Sequence, residues 1–170
     1  MTSGSPSGGT MFGKGNGFSL IELLVTIVVL SIVAAFAIPG FANLIGSTQL
    51  TSGTNSVVSS IRLARSEAVK RGDEVTWSTD AGMASGWCVH IGGATNDCSN
   101  PIRAFSGPDN LIYNPSANDL VFDHRGFLTP QSAQTITLRP QDCASGDDRF
   151  RTIRISPVGR TMIDDTGVCP

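Results

Sequence analysis

A single carboxylate, Glu22, interrupts the most apolar stretch of the chain. The 21 residues from Phe18 to Ile38 include 17 hydrophobic ones, and Glu22 is the only one of the 21 that carries a charge. A carboxylate at the centre of a bilayer costs a few kcal/mol, so it must lie near the membrane surface or meet a partner. This charge argues against a signal peptide or a plain membrane anchor, and it leaves both placements of Glu22 open.

The residue types that usually carry catalysis or bind metals are sparse. The two histidines, His90 and His124, are 34 residues apart, and neither lies in a motif for a nucleophile, a metal or a phosphate group. We expect both histidines to be ordinary surface or strand residues, and both tryptophans, Trp77 and Trp87, to pack in the core. The chain is thus predicted to be no enzyme and to need neither a metal nor a cofactor.

Four cysteines, Cys88, Cys98, Cys143 and Cys169, follow the apolar segment and include no CxxC pair. Zinc sites normally show closer ligand pairs, whereas an even count beside a membrane segment favours two disulfides in an oxidising compartment. Of the three possible pairings we expect the sequential one, Cys88–Cys98 and Cys143–Cys169. The second bridge would tie the C-terminus to the domain and stabilise it by about 3 kcal/mol.

A long N-terminal helix must position Glu22. The apolar run can span a bilayer once, and one candidate span among 170 residues excludes a polytopic membrane protein. Proline removes a helical hydrogen bond, so Pro39 predicts a kink. Beyond it, apolar residues continue at helical spacing to Arg71, and Gly72 follows as a C-cap.

From Asp73 onward, short alternating runs between turn residues replace the helical pattern. The turn Ser156–Gly159 joins two runs into a hairpin, in which Ile153 and Ile155 should face inward. These signals predict an antiparallel all-β domain. The candidate strands are 74–78, 86–91, 102–105, 120–122, 135–139, 150–156 and 161–163.

The part of the chain after the helix is acidic. Residues 73–170 contain seven arginines, no lysine and twelve acidic residues, a net charge of −5. A domain that binds nucleic acid through bulk charge should be basic, so any such binding needs a local patch. The candidate DNA-binding residues are Arg151, Arg154 and Arg160 of the last hairpin.

The residues around Glu22 resemble the class III leader and N-terminus of type IV pilins and type II secretion pseudopilins: Gly17, then Phe18-Ser-Leu-Ile-Glu22-Leu-Leu. The resemblance implies that a prepilin peptidase removes the leader, residues 1–17, by cleaving after Gly17, and methylates the new amine of Phe18. It also implies that Glu22 meets the N-terminal amine of a neighbouring subunit, which would fix the stagger between helices. Met11 is an alternative start to Met1, because residues 11–17 alone form a complete short leader.

Three further runs resemble the H-type minor pseudopilins and the FimT/FimU minor pilins: Ala64–Gly72, Phe122–Gly126 and Ile155–Arg160. Read without the resemblance, Arg65 and Glu67 are solvated helix positions, and Gly126 and Gly159 are turn glycines.

The resemblance implies the type IV pilin fold, an α+β fold. In it, a long N-terminal helix, 18–71, spans the membrane over 18–38 and packs on an antiparallel β-sandwich-like domain, 72–170.

The function implied is that of a minor pilin. It would lie at or near the tip of a type IV pilus and prime assembly with other minor pilins and the major pilin. Before assembly, the chain would cross the inner membrane once, with its C-terminal domain in the periplasm.

Two alternatives stay open: a minor pseudopilin H of a type II secretion system, or a DNA-binding pilin for natural transformation. Some FimT-type pilins bind DNA through Gly-Arg-x-Arg in the last hairpin. Here Gly159-Arg160-Thr161-Met162 keeps only the first arginine.

Overall fold

The computed structural model describes residues 18–79, 86–93 and 98–169, without the side chains of 38–40, 42–43 and 165–166. It divides into two units, Met1–Phe41 and Ala42–Pro170. One helix, α1 (Leu20–Arg71), contributes to both units. The prediction of an α+β fold, with an N-terminal apolar helix followed by antiparallel strands, is confirmed.

The described part of the first unit is the N-terminal part of α1. Its large apolar side chains, from Phe18 to Phe36, are between 48 % and 82 % exposed. Within it, Leu20–Ala37 is long and apolar enough to cross a membrane. The assigned helix continues through Pro39, and the kink expected there stays a prediction. In the described part of this unit these apolar side chains remain about half exposed or more, so they need lipid or other helices around them.

In the second unit, α1 buries one face along its length. Leu50, Val57, Ile61, Ala64 and Ala68 are each at most 2 % exposed. Their spacing of three, four or seven residues places them on one side of a 3.6-residue helix. After Arg71, Gly72 adopts a positive φ of 70°, and its N–H donates to the carbonyl of Ala68 at 2.9 Å. Glycine adopts this left-handed conformation without steric cost, which ends the helix.

Nine strands of the described residues form two antiparallel sheets. Sheet A has the order β3-β2-β1-β5-β6, and sheet B has the order β4-β7-β8-β9. Sheet A consists of β1 (Val75–Thr79), β2 (Trp87–Ile91), β3 (Arg103–Phe105), β5 (Asp119–Phe122) and β6 (Leu128–Thr129). Sheet B consists of β4 (Leu111–Pro115), β7 (Gln134–Pro140), β8 (Phe150–Ile155) and β9 (Thr161–Gly167).

The last hairpin agrees with the alternation in the sequence. β8 pairs with β9 in antiparallel fashion, and the N–H of Gly159 closes the turn by donating to the carbonyl of Ser156 at 2.8 Å. Ile153 and Ile155 are completely buried. The predicted hairpin and its inward face are confirmed.

Two strands lie outside the set predicted from the sequence. β4 is an edge strand of sheet B, buries only Leu111 fully and ends at Pro115. β6 has only two residues. An edge strand can tolerate proline and polar residues on both faces, and two residues show no alternation, so neither strand has a clear sequence signal.

One buried serine joins α1 to sheet A. The Ser60 hydroxyl accepts the indole N–H of Trp77 at 2.9 Å and that of Trp87 at 2.8 Å, and donates to the carbonyl of Val57 at 2.7 Å. Both indoles are at most 2 % exposed. The tryptophans are therefore core residues, as expected, and a single hydroxyl satisfies both of their polar groups.

Two disulfides connect the four cysteines in the sequential pairing. Cys88 of β2 joins Cys98, and Cys143 joins Cys169. The second bridge ties the segment after β9 to the loop between β7 and β8. The backbone supports it, because the N–H of Cys169 donates to the carbonyl of Asp147 at 2.8 Å.

Candidate functional site

The three sequence runs noted above meet at one place in the second unit. Arg65 of α1 donates from its Nε to the carbonyl of Gly126 at 3.1 Å. Gly126 lies in the turn before β6, and Gly159 lies in the turn between β8 and β9. A Cβ at Gly159 would be 2.3 Å from the carbonyl oxygen of Gly126 and 2.9 Å from Nε of Arg65. The helix α1 and the turns at Gly126 and Gly159 are thus in direct contact.

The backbone conformation at both positions also favours glycine. The φ angles are +80° at Gly126 and +74° at Gly159. They lie in the left-handed region, where a residue with a Cβ is strained. They are turn glycines, as expected, and they allow Arg65 to approach. Arg65 is partly buried by this contact, so the interpretation of Arg65 as a simple solvated position is wrong.

Glu67 is likewise not a freely solvated position. Its side chain is 13 % exposed and pairs with Arg71 at 2.8 Å and with Lys70 at 3.6 Å. The hydrogen bond from Arg71 holds the pKa of Glu67 below its usual value. Glu67 therefore stays ionised and is paired with cations of its own helix.

The turn that presents Gly126 is fixed by Asp123. Its carboxylate accepts the backbone N–H of Phe127 and that of Arg125, both at 2.9 Å. The bond from Phe127, followed by the guanidinium of Arg125, holds the pKa of Asp123 below its usual value. An ionised aspartate is thus part of the turn geometry at neutral pH.

A surface groove lies on the same helix end. It has a volume of about 420 Å³ and is lined by five residues of α1, which we call the α1 groove: Arg62, Arg65, Ser66, Val69 and Lys70. Arg62 is held at the groove by a hydrogen bond from its Nε to Oγ1 of Thr161, at 3.3 Å. Arg160 lies in the chain between Gly159 and Thr161, the two residues that Arg65 and Arg62 contact.

The three arginines predicted as a DNA-binding set have different surroundings. Arg154 pairs with Asp164 at 3.4 Å. Arg151 donates from Nη1 to the backbone carbonyls of Asp148 and Phe150, both at 3.0 Å. Arg160 is exposed. Their role in binding DNA stays a prediction.

A serine, a histidine and an aspartate come together in sheet A. Nε2 of His90 lies 2.8 Å from Oγ of Ser78, and that hydroxyl donates to Asp119 at 2.5 Å. In a nucleophilic triad the carboxylate orients the histidine, whereas here it binds the serine, and Ser78 is completely buried. The arrangement links β1, β2 and β5 through polar contacts and is not the arrangement of a nucleophile with its base.

The predicted assembly residues lie in the N-terminal unit. Gly17 falls outside the described residues. Phe18 is 81 % exposed, and Glu22 is exposed in the first turn of α1. The hydroxyls of Thr26 and Ser31 each donate to the carbonyl three residues before them, Leu23 and Val28, at 2.7 Å. Glu22 is therefore the polar side chain of this segment that most needs a partner from outside.

Two family models match the chain. The family described as Type II transport protein GspH matches residues 53–159, which include the turns at Gly126 and Gly159. The Prokaryotic N-terminal methylation motif matches residues 14–38. The two matches therefore cover both the segment around Glu22 and the contact of Arg65 with the two turns.

The chain is also similar to fimbrial proteins. It is 37 % identical to a "Fimbrial protein" of Pseudomonas aeruginosa over 62 residues, which are 36 % of this chain and 40 % of that one. It is 35 % identical to the "Type IV major fimbrial protein FimA" of Dichelobacter nodosus over 60 residues, 35 % of this chain and 37 % of that one. The chain matches about two fifths of the length of these curated relatives.

Two crystal structures of the type IV minor pilin FimU of Pseudomonas aeruginosa have a similar fold. The first has a TM-score of 0.61 at 22 % identity and covers 72 % of this chain and 93 % of that one. The second has a TM-score of 0.59 at 22 % identity and covers 71 % of this chain and 96 % of that one. At this identity the likeness shows the fold. The GspH model spans well over half of the sequence, and the chain therefore belongs to the family described as Type II transport protein GspH.

Proposed function

We propose that this protein is a minor pilin, a structural subunit at or near the tip of a type IV pilus. It primes assembly together with other minor pilins and the major pilin. A prepilin peptidase cleaves between Gly17 and Phe18 and methylates the new N-terminus. Before assembly the mature chain crosses the inner membrane once, with residues after the span in the periplasm.

The observation that carries the proposal is Glu22 on a helix whose apolar side chains are exposed on all sides. In lipid, the carboxylate is costly unless it lies near the surface or is paired. In a bundle of like helices, the apolar faces bury one another, and Glu22 can meet the amine of Phe18 of a neighbour. Moving the two charges into the bundle together costs far less than moving either alone. The pair also selects one stagger between neighbouring helices.

A pseudopilus of a type II secretion system would use the same physics. The family description names type II transport, whereas the similar crystal structures are of a type IV minor pilin. We favour the pilus because the resemblance extends to the fimbrial relatives. Deleting the gene separates the two: a pilus subunit changes the number of surface pili, and a pseudopilin abolishes export of secreted proteins.

DNA capture is a second candidate, and the charge distribution does not favour it. Arg154 is paired with Asp164, and residues 73–170 carry a net charge of −5. Each phosphate contact contributes about one unit to the slope of the logarithm of the binding constant against the logarithm of the salt concentration. A gel-shift titration with Arg160→Ala as the comparison would detect salt-sensitive binding through the hairpin.

The test of the proposed function is Glu22→Ala in the full chain, in cells that make pili. We expect wild-type amounts in the inner membrane, because the helix remains apolar enough to insert. Incorporation into sheared pili should fall by about tenfold or more, because the register-setting pair is lost. Membrane and pilus fractions are compared by quantitative immunoblotting.

The matched control is Thr26→Ala, one helical turn further on. The Thr26 hydroxyl already bonds within its own helix, so its loss should leave both fractions unchanged. Normal piliation together with normal incorporation of Glu22→Ala would refute the proposed role of Glu22.

A further inference from the structure

We propose that the α1 groove is a docking surface for an acidic, aliphatic segment of a neighbouring pilin-like subunit. A carboxylate of that segment would bind Arg62 and Arg65, and an aliphatic side chain would cover Val69. The proposal rests on the proposed function, because it names a contact that the chain makes inside a filament.

The two arginines are held in place but remain largely available. Each uses its Nε for one contact within the chain, Arg62 to Thr161 at 3.3 Å and Arg65 to Gly126 at 3.1 Å. A guanidinium carries further N–H groups in a fixed fork that suits a carboxylate. Because the stems are already ordered, a partner meets pre-positioned donors and loses less entropy on binding.

Of the groove's three cations, Lys70 pairs with Glu67, whereas the two arginines keep their charge available. In the part of the chain that the structure describes, no carboxylate pairs with Arg62, Arg65 or Arg160. The nearest acidic residue of the helix, Glu67, is bound by Arg71 and Lys70. A carboxylate from another chain would therefore meet unpaired cations.

One aliphatic side chain, Val69, lies among the polar residues that line the groove. Val69 is 53 % exposed there, and the hydroxyl of Ser66 already donates to the carbonyl of Leu63 at 2.9 Å. A surface that presents an aliphatic side chain beside cations suits a peptide that offers an aliphatic and an acidic side chain together. A nucleic acid backbone offers no aliphatic side chain that could cover Val69. A protein partner is thus favoured.

The experiment places a photo-cross-linking amino acid at Ser66, in the full chain, in cells that assemble the filament. The cross-linked species is recovered from sheared filaments, and its peptides are identified by mass spectrometry. We expect a peptide of another pilin-like subunit that contains Asp or Glu near Val, Leu or Ile. Arg62→Glu should lower the cross-link yield about fivefold or more, because it places like charges together.

Arg103→Glu serves as the matched control. It makes the same change of charge at an exposed position of β3 that does not line the α1 groove, and it should leave the yield unchanged.

The outcomes separate the two proposals. If the chain is present in filaments but Ser66 cross-links no pilin-like subunit, or the yield is equal in wild type and Arg62→Glu, the docking proposal is overturned while the proposed function stands. Cross-linking to nucleic acid instead of protein would also overturn it. If the chain is absent from filaments, the proposed function is overturned, and the docking proposal with it.

Discussion

Gly159 lies where the last hairpin meets both Arg65 and the turn at Gly126. Alanine at this position must adopt a φ of +74° and bring its Cβ within 2.3 Å of a backbone oxygen. The left-handed conformation costs about 1–2 kcal/mol, and the contact must be relieved by moving the backbone. We predict that Gly159→Ala lowers the free energy of unfolding by about 3 kcal/mol or more. The measurement is urea unfolding of the full chain in detergent, followed by near-ultraviolet circular dichroism.

Gly146 provides the comparison that isolates the steric contact. It also has a positive φ, +87°, but nothing lies within 4 Å of an added Cβ. Gly146→Ala should therefore lower the free energy of unfolding only by the cost of the left-handed conformation, about 1–2 kcal/mol. Equal losses in the two variants would show that Gly126 and Arg65 do not approach Gly159 closely enough to exclude a side chain.

Arg65 shows why residue roles are harder to predict than residue positions. Its place on α1 follows from helical periodicity, between the buried Ala64 and Ala68. Its partner is a carbonyl 61 residues away in the sequence, which no local pattern encodes. Glycine at both turns was the available signal, because a conformation only glycine tolerates also admits a close neighbour. Spacing alone could not say which neighbour that is.

At the scale of the elements, Ser60 connects α1 to two strands of sheet A. Ser60→Ala removes the acceptor of two indole N–H groups that are buried in the core. Leaving a buried donor without a partner costs about 1–3 kcal/mol each. We predict that the free energy of unfolding falls by about 2–4 kcal/mol, measured as for Gly159→Ala.

The neighbouring Ser59 is exposed, and its hydroxyl donates to the carbonyl of Ser56 within its own helix at 2.9 Å. Ser59→Ala should change the free energy of unfolding by less than about 0.5 kcal/mol. If Ser60→Ala were as harmless as Ser59→Ala, the shared hydroxyl would not hold the helix against the sheet.

The elements that the sequence predicted are those with a strong period. α1 has helical spacing and a glycine C-cap at Gly72, and β8 alternates between buried and exposed residues. The missed strands lack both signals. β4 has only Leu111 fully buried, and β6 exists through two residues paired with β5. Their strand conformation depends on neighbours that are distant in the sequence, which periodicity does not report.

At the scale of the whole molecule, the sequence divides into two chemical environments. The N-terminal unit exposes apolar side chains with one carboxylate, and the second unit buries a core between α1 and two sheets. This division, and the fold class, could be predicted from composition and from the residues around Glu22. The α1 groove could not, because Arg62 and Arg65 are held there by Thr161 and Gly126, contacts that exist only after folding.

The central claim is that this chain is processed and built into a filament. It is tested most directly by mass spectrometry of filaments sheared from cells that produce the protein. The account predicts that the chain is present, that residues 1–17 are missing, and that its first residue is an N-methylated Phe18. Absence of the chain from filaments, or its presence with residues before Phe18 intact, would contradict the account.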